Sequence, residues 1–139
     1  MPSKETAVPA NIAELLVKAR NEPIASFLNM RVIELSEGYA KVGIVLNHNF
    51  INFNGLIFGG IVMAVADEAF AYASNSVISP NVASQFNIHF ISGAKEGEEL
   101  IAECKVIKSG KRVCISEINV VNQDNKLIAK ATGTTIPLV

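Results

Sequence analysis

Cysteine is scarce in this chain of 139 residues; there are two, Cys104 and Cys114. Two are too few for a disulfide scaffold, and neither sits in a Cys-x-x-Cys pair or beside a histidine, so metal-ligand spacing is absent. Both read as small hydrophobes of a reducing compartment. Charge is scarce as well: Asp, Glu, Lys and Arg make up 18% of the residues and hydrophobic types 50%, where an ordinary soluble domain carries about 25% charged. That excludes disorder as the main state. Neither sign is in excess, because 12 basic and 13 acidic residues leave a formal charge of −1, so no global field would hold a duplex nucleic acid. The start, Met1-Pro2-Ser3-Lys4-Glu5-Thr6, leads into no continuous apolar region of the kind a secretory signal needs. Cytoplasm is the expected compartment. A run of about 20 apolar residues is also missing, since Asn47, His48, Asn49, Asn52 and Asn54 interrupt one side of the most apolar stretch and Asp67 and Glu68 the other. Membrane spanning is therefore rejected.

What remains is a small, apolar chain of 14.9 kDa with a mean hydropathy of +0.33, the size of one domain. So much hydrophobic surface is hard to hide in a single copy, and self-association is expected. The placement of charge says more than its total. From Val42 to Ala94 the only Asp, Glu, Lys or Arg residues are Asp67 and Glu68.

Asn11 to Arg20, with Ile12, Leu15, Leu16 and Ala19 at helical spacing, predicts an amphipathic helix with Asn11 as N-cap, ended by Pro23 and packed outside the core. Val32, Ile33 and Leu35, a Ser36-Glu37-Gly38 turn, and then Tyr39 to Leu46 predict a hairpin, with Val42, Ile44 and Leu46 on one face. Ile57 to Asn75 is long, rich in Ala and free of Pro, and two glycines open it. Its apolar residues run all round, which predicts a helix buried on most sides. Four strands follow, at 82–90, 99–108, 112–121 and 126–135, separated by Ser92-Gly93, Ser109-Gly110 and Asn122-Gln123-Asp124-Asn125. A hairpin, one buried helix and a run of antiparallel strands define an α+β domain in which a curved sheet wraps a central helix.

Asn52-Phe53-Asn54-Gly55-Leu56-Ile57-Phe58-Gly59-Gly60 feeds directly into that helix. Adjacent glycines at a helix start leave backbone N–H groups uncovered, and these, with the positive end of the helix dipole, can hold a developing oxyanion. The plainer alternative is a tight turn that needs glycine for its dihedrals or for close packing. Asp67 adds weight to the first. A carboxylate inside an apolar helix costs several kcal/mol unless paired or hydrogen-bonded, so it reads either as an Asp that merely bonds backbone or Ser groups or as a general base or nucleophile with a pKa set by an apolar site. Glu68 lies about 100° round the helix from Asp67, so the two form no proton-sharing dyad. It reads as structural or as an interface residue. Gly59 and Asp67 are eight positions apart, about 12 Å along one helix. If both act on one reacting carbon, the second must come from another chain across a two-fold interface.

This glycine-rich approach, with Asp eight residues after the first glycine of the pair, resembles the hotdog-fold acyl-CoA thioesterases of the phenylacetate-pathway PaaI type. The resemblance continues through Ala66-Asp67-Glu68-Ala69-Phe70-Ala71-Tyr72-Ala73-Ser74-Asn75-Ser76, Val82-Ala83-Ser84 and Ile118-Asn119-Val120-Val121-Asn122-Gln123, and covers about residues 25 to 137. It implies that Asp67 is the nucleophile or the base that activates water, and that the Gly59 N–H polarises the thioester carbonyl. It also implies that Asn52 orients water or carbonyl and that Ser84 contacts the attacking water. Gly60 and Phe58 would line the substrate site, while Asn54 reads as turn chemistry. No cofactor is implied beyond the CoA of the substrate, and the protomers are expected to pair through a continuous sheet and to associate into dimers or tetramers.

The family's usual histidine before the glycine pair is Phe58 here, which cannot hydrogen-bond; His48 and His89 are its only candidate surrogates. The cluster Lys108-Ser109-Gly110-Lys111-Arg112 is either a solvated turn or a contact for the phosphates of CoA. A non-catalytic hotdog module that binds acyl-CoA as a sensor is the alternative function. Sensor domains of that kind are joined to a helix-turn-helix, for which the N-terminal segment is too short. A hotdog dehydratase is disfavoured because its catalytic histidine motif is missing. The acyl group depends on how Phe53, Phe58, Phe70, Tyr72 and Met63 pack.

Overall fold

The computed structural model describes residues 10–138. Its elements run α1 (Ala10–Arg20), α2 (Pro23–Leu28), β1 (Arg31–Ser36), β2 (Tyr39–Val45), a single 3-10 turn at His48–Phe50, α3 (Gly59–Asn75), β3 (Asn81–Phe90), β4 (Glu99–Ser109), β5 (Cys114–Asn122) and β6 (Leu127–Pro137). The expected hairpin, central helix and four strands are all present. Arg112 falls outside β5, in the turn that precedes it.

All six strands form one antiparallel sheet in the order β1-β2-β4-β5-β6-β3. The central strands bury alternate residues, as a half-covered sheet must. Ala40, Val42 and Ile44 of β2, Leu100, Ala102 and Cys104 of β4, and Ile118 and Val120 of β5 face inward and are fully buried. Against them lies α3, through Val62, Val65, Ala66, Ala69, Phe70 and Ala73. The alanines let the helix axis approach the sheet closely, and one large side chain fills the remaining gap. Phe70 lies over Gly133 of β6, where a Cβ would stand 2.5 Å from its Cζ atom.

The C-terminal end of α3 is held by the Ser-Asn-Ser segment. Asn75 Oδ1 accepts from Asn81 N at 2.9 Å while Asn75 Nδ2 donates to Asn81 O at 2.9 Å, which pins the helix end to the start of β3. Ser76 Oγ accepts from Gly38 N at 2.8 Å and so fastens the β1–β2 turn, where Gly38 takes a φ of +73°. The cysteines are free and buried, and burial pushes the Cys104 thiol up to about 12.

Two expectations about the N-terminal segment need correction, while Pro23 both ends α1 and begins a second helix. Asn11 lies inside α1 rather than capping it, and its Nδ2 donates to Ser76 O at 2.7 Å, tying α1 to the end of α3. Ile12 and Leu15 are buried, Leu15 within the core, so α1 contributes to the core instead of lying outside it. At the start of α2 the missing N–H of Pro23 is harmless.

Candidate active site

The segment before α3 is built by Asn52. Its Oδ1 accepts from Asn54 N at 2.9 Å and from Leu56 N at 3.1 Å, and Gly55 completes the turn with a φ of +76°. Asn54 therefore acts as turn chemistry, as expected. The side-chain carbonyl oxygen of Asn52 is committed to the loop, while its amide N–H groups have no partner among the described residues. Phe58 N then donates to Phe50 O at 2.8 Å, fixing the chain as it enters the helix.

At the head of α3 the N-cap is Phe58, which offers no side-chain acceptor, and the first turn carries no acidic residue. Helix geometry gives the N–H groups of Gly59 and Gly60 no partner, and none is supplied from elsewhere among the described residues. Two aromatic rings flank these donors. A Cβ on Gly60 would fall 2.3 Å from Phe58 Cε2, and one on Gly59 would fall 3.3 Å from Phe90 Cζ. A side chain at Gly60 would force the Phe58 ring aside, whereas at Gly59 the Phe90 ring would have to give only by a few tenths of an ångström. A cavity of about 260 Å³ opens beside Gly59, lined by Leu56, Ile57, Val62, Phe90, Ile91 and Ala94 among others.

The helix is not buried on every side. Gly60, Met63, Asp67 and Ala71 form an exposed stripe along it in the single chain, while Glu68 is 8% exposed. This reverses the expectation for the acidic pair. A step of about 100° carries Asp67 out to the open face and Glu68 inward, toward the α1–α2 junction. Atoms nonetheless crowd the Asp67 carboxyl, and partial desolvation, followed by the charge of Glu22, holds its pKa above the ordinary carboxylate value. Burial, followed by hydrogen bonding to Glu22, pushes Glu68 much further up.

Asp67 and Gly59 belong to one unbroken helix, so within a chain they stay about 12 Å apart. Ser84 sits in the edge strand β3 at a break in register between Ala83 and Gln85, is exposed, and donates to Thr134 O at 3.4 Å. Such bulges re-aim side chains and often lie beside active sites. Lys108, Ser109, Gly110, Lys111 and Arg112 form the tip of the β4–β5 hairpin, and the three cations are exposed and make no ion pair among the described residues. His48 is exposed, 3.6 Å from Glu96, and His89 points to the opposite face of β3 from Phe90, the residue that touches Gly59.

Two residues of the site escape a reading of the sequence. Phe90 ends β3 and is exposed in the single chain, so no burial pattern in the sequence marks it as a neighbour of Gly59. Glu22 looks like an ordinary charge before a proline, and nothing local places it beside Glu68.

The sheet order, the central helix and the glycine-led helix start define the hotdog class. Residues 54–129 match the thioesterase superfamily. The acyl-coenzyme A thioesterase PaaI of Escherichia coli is 34% identical over 113 residues, 81% of either chain. The solved structure of the E. coli PaaI protein from the phenylacetic acid degradation operon superimposes with a TM-score of 0.85 at 31% identity, covering 91% of this chain and 94% of that one. The TT0310 protein from Thermus thermophilus gives a TM-score of 0.81 at 30% identity, over 84% of this chain and 98% of its own. The chain belongs to the thioesterase superfamily, as a hotdog member of PaaI type, and is a thioester hydrolase.

Proposed function

We propose that the chain hydrolyses acyl-CoA thioesters at a site shared by two copies, with Gly59 and Asn52 from one and Asp67 and Ser84 from the other. The observation that carries this reading is the arrangement along α3: two unpartnered N–H groups at its head and, eight residues on, an outward-facing carboxyl of raised pKa. The Gly59 N–H, aided by the helix dipole, polarises the thioester carbonyl and stabilises the oxyanion. Asp67 either removes a proton from water as its oxygen attacks the carbonyl carbon, or attacks that carbon itself to give an anhydride that water then opens. In both routes the C–S bond breaks and the CoA sulfur leaves as thiolate. The Asn52 amide N–H groups orient the carbonyl or water, and the Ser84 hydroxyl holds the water beside Asp67. Gly60 and Phe58 border the thioester, and Lys108, Lys111 and Arg112, with the Ser109-Gly110 turn between them, meet the nucleotide phosphates of CoA.

The cavity beside Gly59 has no charged group in its lining, which supports an apolar acyl or aryl-acyl group. Hydrolysis of a series of straight-chain acyl-CoAs and of arylacetyl-CoAs, followed by release of free thiol, tests the reading. Turnover of at least one apolar thioester is expected, and dicarboxylic acyl-CoAs should be poor substrates. Tight binding of acyl-CoA without thiol release from any member would overturn it.

A further inference from the structure

Glu68 faces a cavity that hydrolysis does not use. The cavity, of about 440 Å³, opens between α1, α2 and β1 and shares none of its lining with the one beside Gly59. It has the size of a small-molecule site. Part of its lining is apolar: Leu16 and Val32 are half-buried, and Ala25 and Met30 are buried. Beside these stands one buried polar group, the Glu68 carboxyl, whose residue is 8% exposed. Among the described residues no N–H donates to that carboxyl and no cation pairs with it.

Two cations line the same cavity without reaching Glu68. Arg31 is engaged with Glu99, and Arg20 has no ion pair among the described residues. The two unmatched charges of the cavity are therefore opposite in sign and set at different depths, Glu68 in its buried part and Arg20 at its exposed rim. A buried carboxyl gains most from a charged donor brought to it, yet guanidinium groups at the rim repel a simple amine. A ligand that satisfies both ends carries both signs. We propose that this cavity is a second binding site, for a small zwitterionic amino acid with an apolar body: its ammonium group donates to Glu68, its carboxylate meets the Arg20 guanidinium, and its hydrocarbon lies against Leu16, Ala25, Met30 and Val32. Ser26 and Asn29, exposed in the same lining, offer further donors to the carboxylate.

This site does not depend on the hydrolytic reading, and calorimetry on the whole protein tests it. Leucine, phenylalanine and 6-aminohexanoate, which differ in the spacing of their charges, are each titrated beside analogues lacking the ammonium or the carboxylate. At least one zwitterion should bind saturably in the millimolar range or tighter, and at least about tenfold more tightly than either of its analogues. Glu68→Gln and the exposed Arg20→Gln should each weaken that binding by about tenfold or more. A proton reports where the ammonium sits. In the free protein burial first, then Glu22 and Asp67, raise the Glu68 pKa to about 9, so the carboxyl is protonated at pH 7. An ammonium against it favours the ionised form, and that proton passes to the buffer. Titrations in buffers of different ionisation enthalpy should show release of about one proton per ligand, lost in Glu68→Gln.

Absence of saturable binding by all three zwitterions overturns the site. Equal binding of a single-charge analogue, or binding unaltered in both variants, overturns the zwitterionic ligand. Binding without proton release puts the ammonium away from Glu68 and overturns the assignment as well.

Discussion

At the scale of single residues, the chain carries adjacent acids with opposite fates. Asp67 is open to the outside of the protomer and Glu68 is buried, so replacing each should separate chemistry from stability. Asp67→Asn keeps the shape and removes the base or nucleophile. Turnover in steady-state thiol release should fall by at least about 10²-fold, with stability within about 0.5 kcal/mol of wild type in urea titrations, as for an outward-facing substitution. Unfolding of the variant together with normal activity per folded molecule would make Asp67 structural. Glu68 works in the other direction. Burial and Glu22 raise its folded pKa from 4.5 to about 9, so the native state holds a proton that the unfolded chain releases. Its contribution to stability is full below the ordinary carboxylate pKa and is lost as pH rises toward 9. Glu68→Gln mimics the protonated form; its Tm should match wild type near pH 4 and exceed it by a margin that grows up to pH 9. The importance of this acidic pair was legible in the sequence, because no other Asp, Glu, Lys or Arg lies between Val42 and Ala94. Which member is buried was not, since that depends on where α1 and α2 pack.

At the scale of elements, helix and strands were legible because their signals are local: period-two burial, glycine and asparagine turns, and a long Pro-free run. The N-terminal segment was misread because its role is tertiary. Asn11 serves as a long-range tether to Ser76 O rather than as a cap, and Leu15 reaches the core. The glycine contacts were equally hidden, since sequence shows a glycine but not the ring above it. Phe70 is fully buried and held by Phe86 at a ring-centroid separation of 5.5 Å, so it cannot retreat from a new methyl group on β6. Gly133→Ala should therefore destabilise the fold by about 1–3 kcal/mol, the usual penalty for overpacking, read from the urea midpoint. The exposed ring of Phe90 can be removed without that penalty. Phe90→Ala widens the cavity beside Gly59, and kcat/KM should shift toward bulkier acyl-CoAs while the urea midpoint stays near wild type. An unchanged acyl preference would remove that cavity from the proposed substrate site.

At the scale of the whole molecule, the protomer has an unfinished look: β3 is an edge strand with Val82 and Phe90 exposed, and the stripe Gly60, Met63, Asp67 and Ala71 lies open on α3. Long apolar edges invite pairing, and a gap of about 12 Å between the proposed oxyanion donor and the proposed base makes pairing a condition of catalysis. Sedimentation equilibrium at micromolar concentration should give at least a dimer; a monomer of 14.9 kDa would remove the shared site. Subunit exchange tests the sharing itself. In a two-fold dimer each site takes Asn52 and Gly59 from one chain and Asp67 and Ser84 from the other. Mixing Asp67→Ala with Asn52→Ala then creates hybrids with one site intact and one doubly impaired. Random exchange makes about half of the dimers hybrid, so mixing two nearly inactive proteins should restore about a quarter of wild-type activity. Recovery should follow the time course of exchange, measured with differently tagged chains. If exchange is complete and activity stays at the level of the separate variants, Asn52 and Asp67 serve the same site from one chain, and the geometry of α3 would have to be satisfied by a substrate that spans it.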